Sequence, residues 1–167
     1  MNRTLKITGG LFVALVLQGC AMYQPVPEGY TGAVAEVADS VRPGDGMKSE
    51  IFAITELDGR EIHSSFRASG PERSGWRTSL TTRAVSRLVL AAPQKVKLVG
   101  SHIHIDNMRA IVGDIRGTSF SVSGVVDFKP EPGGKYLVKG VLQKGVSSIW
   151  IEDRATGLPV TQKIVEK

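Results

Sequence analysis

The stretch SFSVSGVVDFKPEPGGKYLVKGVLQ, residues 119–143, decides the fold. Residues 119–128 and 136–143 read as strands, rich in valine and aromatic side chains that suit a pleated, half-buried surface. Pro130-Glu131-Pro132-Gly133-Gly134 divides them with turn chemistry. Towards the C-terminus, strands are expected at 147–152 and 158–165, set apart by Lys144-Gly145 and Arg154-Ala155-Thr156-Gly157. Short strands at such regular spacing, each followed by turn residues, imply an antiparallel β-sandwich or a partly open barrel.

Working back towards the N-terminus, residues 33–41 alternate small or apolar residues with polar ones, and Pro43-Gly44-Asp45-Gly46 then turns the chain into a hairpin. Residues 49–57 continue as a strand with Ile51, Ala53 and Leu57 on one face and Phe52 and Ile54 on the other, which implies burial on both sides at its start. Asp58-Gly59 is the strongest short hairpin signal available and returns the chain through residues 60–64. Residues 65–79 hold four charged residues, two glycines and a proline and read as an exposed loop. Extended patterns resume at 80–90 and 94–105, the latter as Val96-x-Leu98 and Ile103-x-Ile105. One short helix is expected where Asp106 or Asn107 caps Met108, Ile111, Val112 and Ile115 at helical spacing, ended by Gly117. The predicted fold is mainly β, with that single helix.

The N-terminus carries a different message. Arg3 and Lys6 precede an apolar run from Leu11 to Leu17, followed by Gln18, Gly19 and Cys20. A charged start, a short apolar stretch and a small residue before the cut describe an export signal. The run is shorter than the roughly twenty apolar residues of a membrane span. Its end resembles the lipobox of bacterial lipoproteins, in which cleavage just before a cysteine lets its thiol and new amino group carry acyl chains. Cys20 fits as the only cysteine of the chain, so an exported domain would form no internal disulfide. Two or more chains hold far better than one, because each buried methylene contributes about 0.8 kcal/mol. Ala21, where retention signals of the inner membrane usually place aspartate, implies an outer-membrane, periplasm-facing address. The expected organisation is a signal peptide at 1–19, lipidated cysteine and tether at 20–31, and a single β-rich domain at 32–167. For residues 22–31 the sequence leaves two readings open: a proline-stiffened spacer, or a segment packed along the domain through Tyr23 and Tyr30.

The formal net charge is +5, and losing Arg3 and Lys6 with the signal lowers it to +3. Basic residues are spread along the chain without a recognition motif, so nucleic acid is not an expected partner. The sequence also has no Gly-x-Ser-x-Gly elbow, phosphate loop or His-Glu-x-x-His.

The C-terminal half carries a resemblance. Gly124-Val125-Val126-Asp127-Phe128-Lys129-Pro130, Gly133-Gly134-Lys135-Tyr136-Leu137-Val138-Lys139-Gly140, Ser148-Ile149-Trp150-Ile151-Glu152-Asp153 and Thr156-Gly157 resemble a group of small lipoproteins of Gram-negative bacteria. Asp58-Gly59 and the lipobox fit the same group. Its Pro-Gly-Gly-x-Tyr hairpin, followed by a strand with a buried tryptophan, is also similar to those of prealbumin-like and immunoglobulin-like sandwiches. The resemblance implies a fold and an address and brings no activity, ligand or catalytic residue with it.

Candidate chemistry is sparse. His102 and His104 stand at i and i+2, on one face of a strand that Asp106 continues, and a metal there would need His63 to converge from elsewhere. Alternation with Ile103 and Ile105 explains the pair equally as the wet face of a half-buried strand, so neither metal nor cofactor is expected. Glu152 and Asp153 beside Trp150 read either as an acidic pair over an aromatic platform or as acids capping a turn behind a core tryptophan; the core reading is preferred. Trp76, among Arg67, Arg73 and Arg77, reads either as a contact for an anionic glycan, lipid head group or protein, or as a ring folded back on the sheet. Trp76, Arg73 and Arg77 are therefore the candidate partner-binding residues and Cys20 the lipidation site. The expected function is a non-enzymatic binding or structural module for another envelope component. The competing reading is a periplasmic hydrolase or metal-binding protein using His102, His104 and acids such as Asp127, Glu152 and Asp153.

Overall fold

Side chains that alternate between buried and exposed along most strands build two sheets that share one apolar interior. The computed structural model describes residues 22–44, 47–105 and 119–166. In chain order the elements are β1 (Val34–Ala38), β2 (Ser40–Pro43), β3 (Lys48–Leu57), β4 (Arg60–Glu61), α1 (Ser65–Ala68), β5 (Gly70–Ser74), β6 (Arg77–Thr81), β7 (Ser86–Leu90), β8 (Gln94–His104), β9 (Ser121–Phe128), β10 (Lys135–Val141), β11 (Ser147–Asp153) and β12 (Ile164–Glu166). One sheet runs β12-β11-β10-β1-β7; the second runs β2-β3-β8-β9, with β4 paired to β3. They form an open β-sandwich rather than a closed barrel. Ala35, Val37, Val89, Val138, Ile149 and Ile151 face inward from the first sheet and meet Phe52, Ile54, Leu57, Val96, Leu98, Val122 and Phe128 from the second.

Asp58-Gly59 forms the predicted hairpin between β3 and β4, with φ of 48° at Asp58 and 75° at Gly59, as a two-residue turn with both central residues left-handed requires. By contrast, 119–143 does not fold as a hairpin. β9 pairs with β8, whereas β10 pairs with β11 and β1, so Lys129 to Gly134 carry the chain from one sheet to the other. Pro130 and Pro132 lack amide protons and stiffen the passage. Its last residues bond instead to β1, Gly133 N–H to the Val34 carbonyl at 2.7 Å and Glu36 N–H to the Gly134 carbonyl at 2.9 Å. That contact starts β10 alongside β1 in a parallel pairing, the exception to the antiparallel order expected.

Other expectations need correction. The strand expected over 33–41 breaks at Asp39, where the chain leaves the first sheet and enters the second. The 65–79 loop is instead the helical turn α1 followed by most of the β5–β6 hairpin, which among the described residues pairs only with itself. The 158–165 strand shrinks to β12 and an isolated bridge between Pro159 and Glu152. In β3, both faces are buried at the start as expected, but the register slips between Ile54 and Glu56. One extra residue there brings Leu57 round to the core beside Phe52 and Ile54. Tyr23 packs on the core from the N-terminal segment and Tyr30 stays exposed. The helix expected over 108–115, Cys20 and the export signal lie outside the described residues.

Candidate functional site

Trp76 does not fold back onto the sheet. Gly75 and Trp76 make the turn between β5 and β6, and Gly75, with φ at 62°, supplies the left-handed first position that a Gly-led two-residue turn demands. The indole is 87% exposed at the tip of this projecting ribbon. Arg77 lies over the ring, its guanidinium carbon 5.0 Å from the ring centre, and Arg73 stands one cross-strand pair further down, opposite Thr78. All three candidate binding residues are thus gathered at one tip.

The root of the ribbon adjoins the N-terminal segment. Tyr23 N–H donates to the Glu61 carbonyl at 3.2 Å, and Arg60 stacks on the Tyr23 ring at 3.6 Å. The Glu61 carboxylate accepts from Arg67 Nε at 2.9 Å, at the end of α1. Ser69, which follows α1, accepts from the Arg83 N–H at 2.9 Å. The start of the described chain, β4 and both legs of the hairpin therefore meet at one end of the sandwich.

His102 and His104 do share a face of β8, with ring centres 6.4 Å apart. Each is already engaged. The Phe120 N–H donates to His102 Nδ1 at 3.0 Å, so the ring proton sits on Nε2, 3.3 Å from Glu50 Oε1. Glu50 Oε2 accepts from Arg42 at 3.1 Å, and Arg42 in turn donates to the Gly140 carbonyl at 2.5 Å. The network ties the second sheet to β10 and forms one wall of an open cleft of about 490 Å³ that Lys48 also lines. His104 Nε2 lies 3.2 Å from Ser119 Oγ. His63 follows β4, which pairs with Glu56 and Leu57, whereas His102 and His104 oppose Glu50 and Lys48 at the other end of β3. The third ligand imagined for a metal is thus held away from the pair. Among the described residues no three His, Cys, Asp or Glu side chains gather as a metal set.

Burial holds His102 below the usual histidine value of 6.5, with the Lys48 charge acting in the same direction against the opposing pull of Glu50. The unfolded chain then binds the proton more readily than the folded one. Stability is accordingly complete above the unfolded value and declines as pH falls below about 6.5 towards the depressed folded value. His102→Gln should flatten this part of the melting temperature against pH curve. A slope unchanged from wild type would assign the acid sensitivity to other groups.

Trp150 is half-buried on the outer face of β11, opposite the buried Ile149 and Ile151, and not in the core as expected. Lys163 lies 4.2 Å above its ring, filling the face a sugar would need. Glu152 pairs with Lys139 at 3.6 Å. Asp153 caps the turn after β11: its Oδ1 accepts from the Thr156 N–H at 2.8 Å and the Ala155 N–H at 2.9 Å. These bonds, Thr156 foremost, hold its carboxyl below the usual carboxylate range. Asp127 is exposed and pairs with Lys95 at 3.0 Å. The acids proposed for a hydrolase are therefore dispersed among separate ion pairs and a turn.

Sequence reasoning missed Asp39, Glu50 and Arg42. Nothing local marks them, because each gains its role only through partners brought from distant strands. Compared with protein-family models, with curated proteins and with solved structures, the chain matches none.

Proposed function

We propose that this chain is a lipid-anchored, non-enzymatic binding module of a bacterial envelope, attached through Cys20 to the outer membrane, facing the periplasm and presenting the Trp76 hairpin to another envelope component. The observation that carries the reading is the exposure of Trp76 at the apex of a ribbon between Arg73 and Arg77. A large aromatic ring left in water under one guanidinium group, with a second arginine one cross-strand pair away, is the composition of a binding hot spot rather than of a stabilising element. The anchor itself rests on the lipobox-like residues ending at Cys20.

Two measurements test the reading. The intact mass of protein from its membrane fraction should correspond to loss of residues 1–19 and addition of acyl chains, and Cys20→Ala should be recovered unprocessed or soluble. A Cys20→Ala protein still membrane-bound and acylated would defeat the anchor. A photo-crosslinker at position 76 should capture an envelope component in cells, and one at exposed Val165, on β12, should not. Equal yields from both positions would defeat the hairpin as binding surface.

A further inference from the structure

We propose that the component met by the Trp76 hairpin is the anionic phospholipid surface of the membrane to which the chain is anchored, so that the ribbon acts as a second foot on the bilayer. This rests on the lipid-anchored reading above and specifies what its hairpin binds.

Four observations converge on it. The ribbon stands outside both sheets with its tip side chains in solvent, although a lone two-stranded hairpin is marginal in water. A binding surface at its tip would account for keeping an exposed tryptophan there. The charge is one-sided: from Arg67 to Arg83 the only acid is Glu72, which lies 3.8 Å from Arg83, so the tip is left with Arg73 and Arg77. The shape is a convex finger bearing one ring. A single-ring finger needs a matching pocket to seat it on a protein, whereas a bilayer accepts it without one. Tryptophan settles at the head-group level with its ring in the apolar boundary, and guanidinium groups pair with phosphate in bidentate fashion.

The fourth observation is position. Glu61 holds Tyr23 through its carbonyl and Arg67 through its carboxylate, so the N-terminal segment and the root of the ribbon leave the sandwich at one end. Cys20 is three residues before Tyr23, a span of at most about 11 Å. The five-residue strands of the ribbon reach roughly 17 Å from its root. Acyl chains at Cys20 would therefore hold the bilayer within reach of the tip.

The test uses the full chain purified from membranes and placed in vesicles of phosphatidylethanolamine with or without phosphatidylglycerol. Subtracting the emission of Trp76→Phe isolates the Trp76 ring. With phosphatidylglycerol, Trp76 emission should shift to the blue, resist acrylamide and be quenched by brominated acyl chains. Arg73→Gln/Arg77→Gln, exposed changes that leave the melting temperature unaltered, should lower the ratio of engaged to free hairpin by about 30-fold at low salt. Trp76 remaining in water on phosphatidylglycerol vesicles overturns the proposal, as does an engaged fraction indifferent to loss of both arginines. Intact mass on the same sample separates the two readings. An acylated chain with Trp76 in water loses only the lipid contact, and an unacylated chain with Trp76 embedded keeps the contact and loses the anchor. A crosslink from position 76 to a protein or glycan, with Trp76 still in water on vesicles, retains the binding module and replaces lipid by that partner.

Discussion

Asp39→Ala should destabilise the protein by about 3–5 kcal/mol, the range found when one partner of a buried ion pair is removed. The Asp39 side chain is wholly buried at the point where the chain crosses between sheets, and its Oδ2 accepts from Arg87 at 2.5 Å, with the Arg87 side chain 8% exposed. The same carboxylate accepts from the Ser65 N–H and Ser65 Oγ, both at 2.9 Å, and from the Ile54 N–H at 3.2 Å. One side chain thus fastens β1, β3, α1 and β7 together. Removal leaves Arg87 charged and buried, and its Nε and Nη1 already find no partner among the described residues. The converse change is milder, because Asp39 without Arg87 keeps three donors on Ile54 and Ser65. Urea denaturation should therefore rank Asp39→Ala well below Arg87→Met in midpoint. Equal midpoints, or the reverse order, would show that the ion pair and not the carboxylate cap holds the crossing.

Much of this arrangement was legible where the information is local. The alternation of β8 to β11 is visible in the order of residues, and Asp58-Gly59 states its turn outright. What was not legible depends on distant partners. The parallel pairing of β1 with β10 joins segments with most of the chain between them, and no periodicity reports it. The extra residue in β3 gives no sign of its own, yet it moves Leu57 to the other face. The β5–β6 ribbon escaped because its side chains nearly all face water, which removes the alternation by which a half-buried strand is recognised. Trp150 was readable and was misjudged: apolar neighbours at 149 and 151 place it on the opposite face of a strand, not in their company. For the site, the gathering of Arg73, Trp76 and Arg77 followed from proximity in sequence. The engagement of His102 by Glu50 and Phe120 required β3 to lie beside β8.

The core should be similarly sensitive at Phe52, where Phe52→Ala is expected to cost about 3–5 kcal/mol. The ring is fully buried and is seated on two glycines, one from each sheet. A Cβ built on Gly140 would fall 2.3 Å from the Phe52 ring, and one on Gly100 would fall 2.8 Å from it. Glycine is therefore needed at both positions to make room for the ring, and neither has a side chain to fill the hole when the ring is removed. Arg42, which bonds Gly140 and Glu50, also sits 5.1 Å over the ring centre, so the cavity would loosen the polar network beside it. Gly140→Ala should destabilise for the opposite reason, by overpacking against the ring. Because both changes act on one space, the double variant Phe52→Ala/Gly140→Ala should be less destabilised than the two single costs combined. The relief will be incomplete, since the same Cβ also meets the Ser148 carbonyl at 2.6 Å, a backbone atom that Phe52 does not control. Strict additivity in chemical denaturation would mean that Gly140 is confined by β11 alone and that the interlock of ring and glycine does not set the sheet spacing.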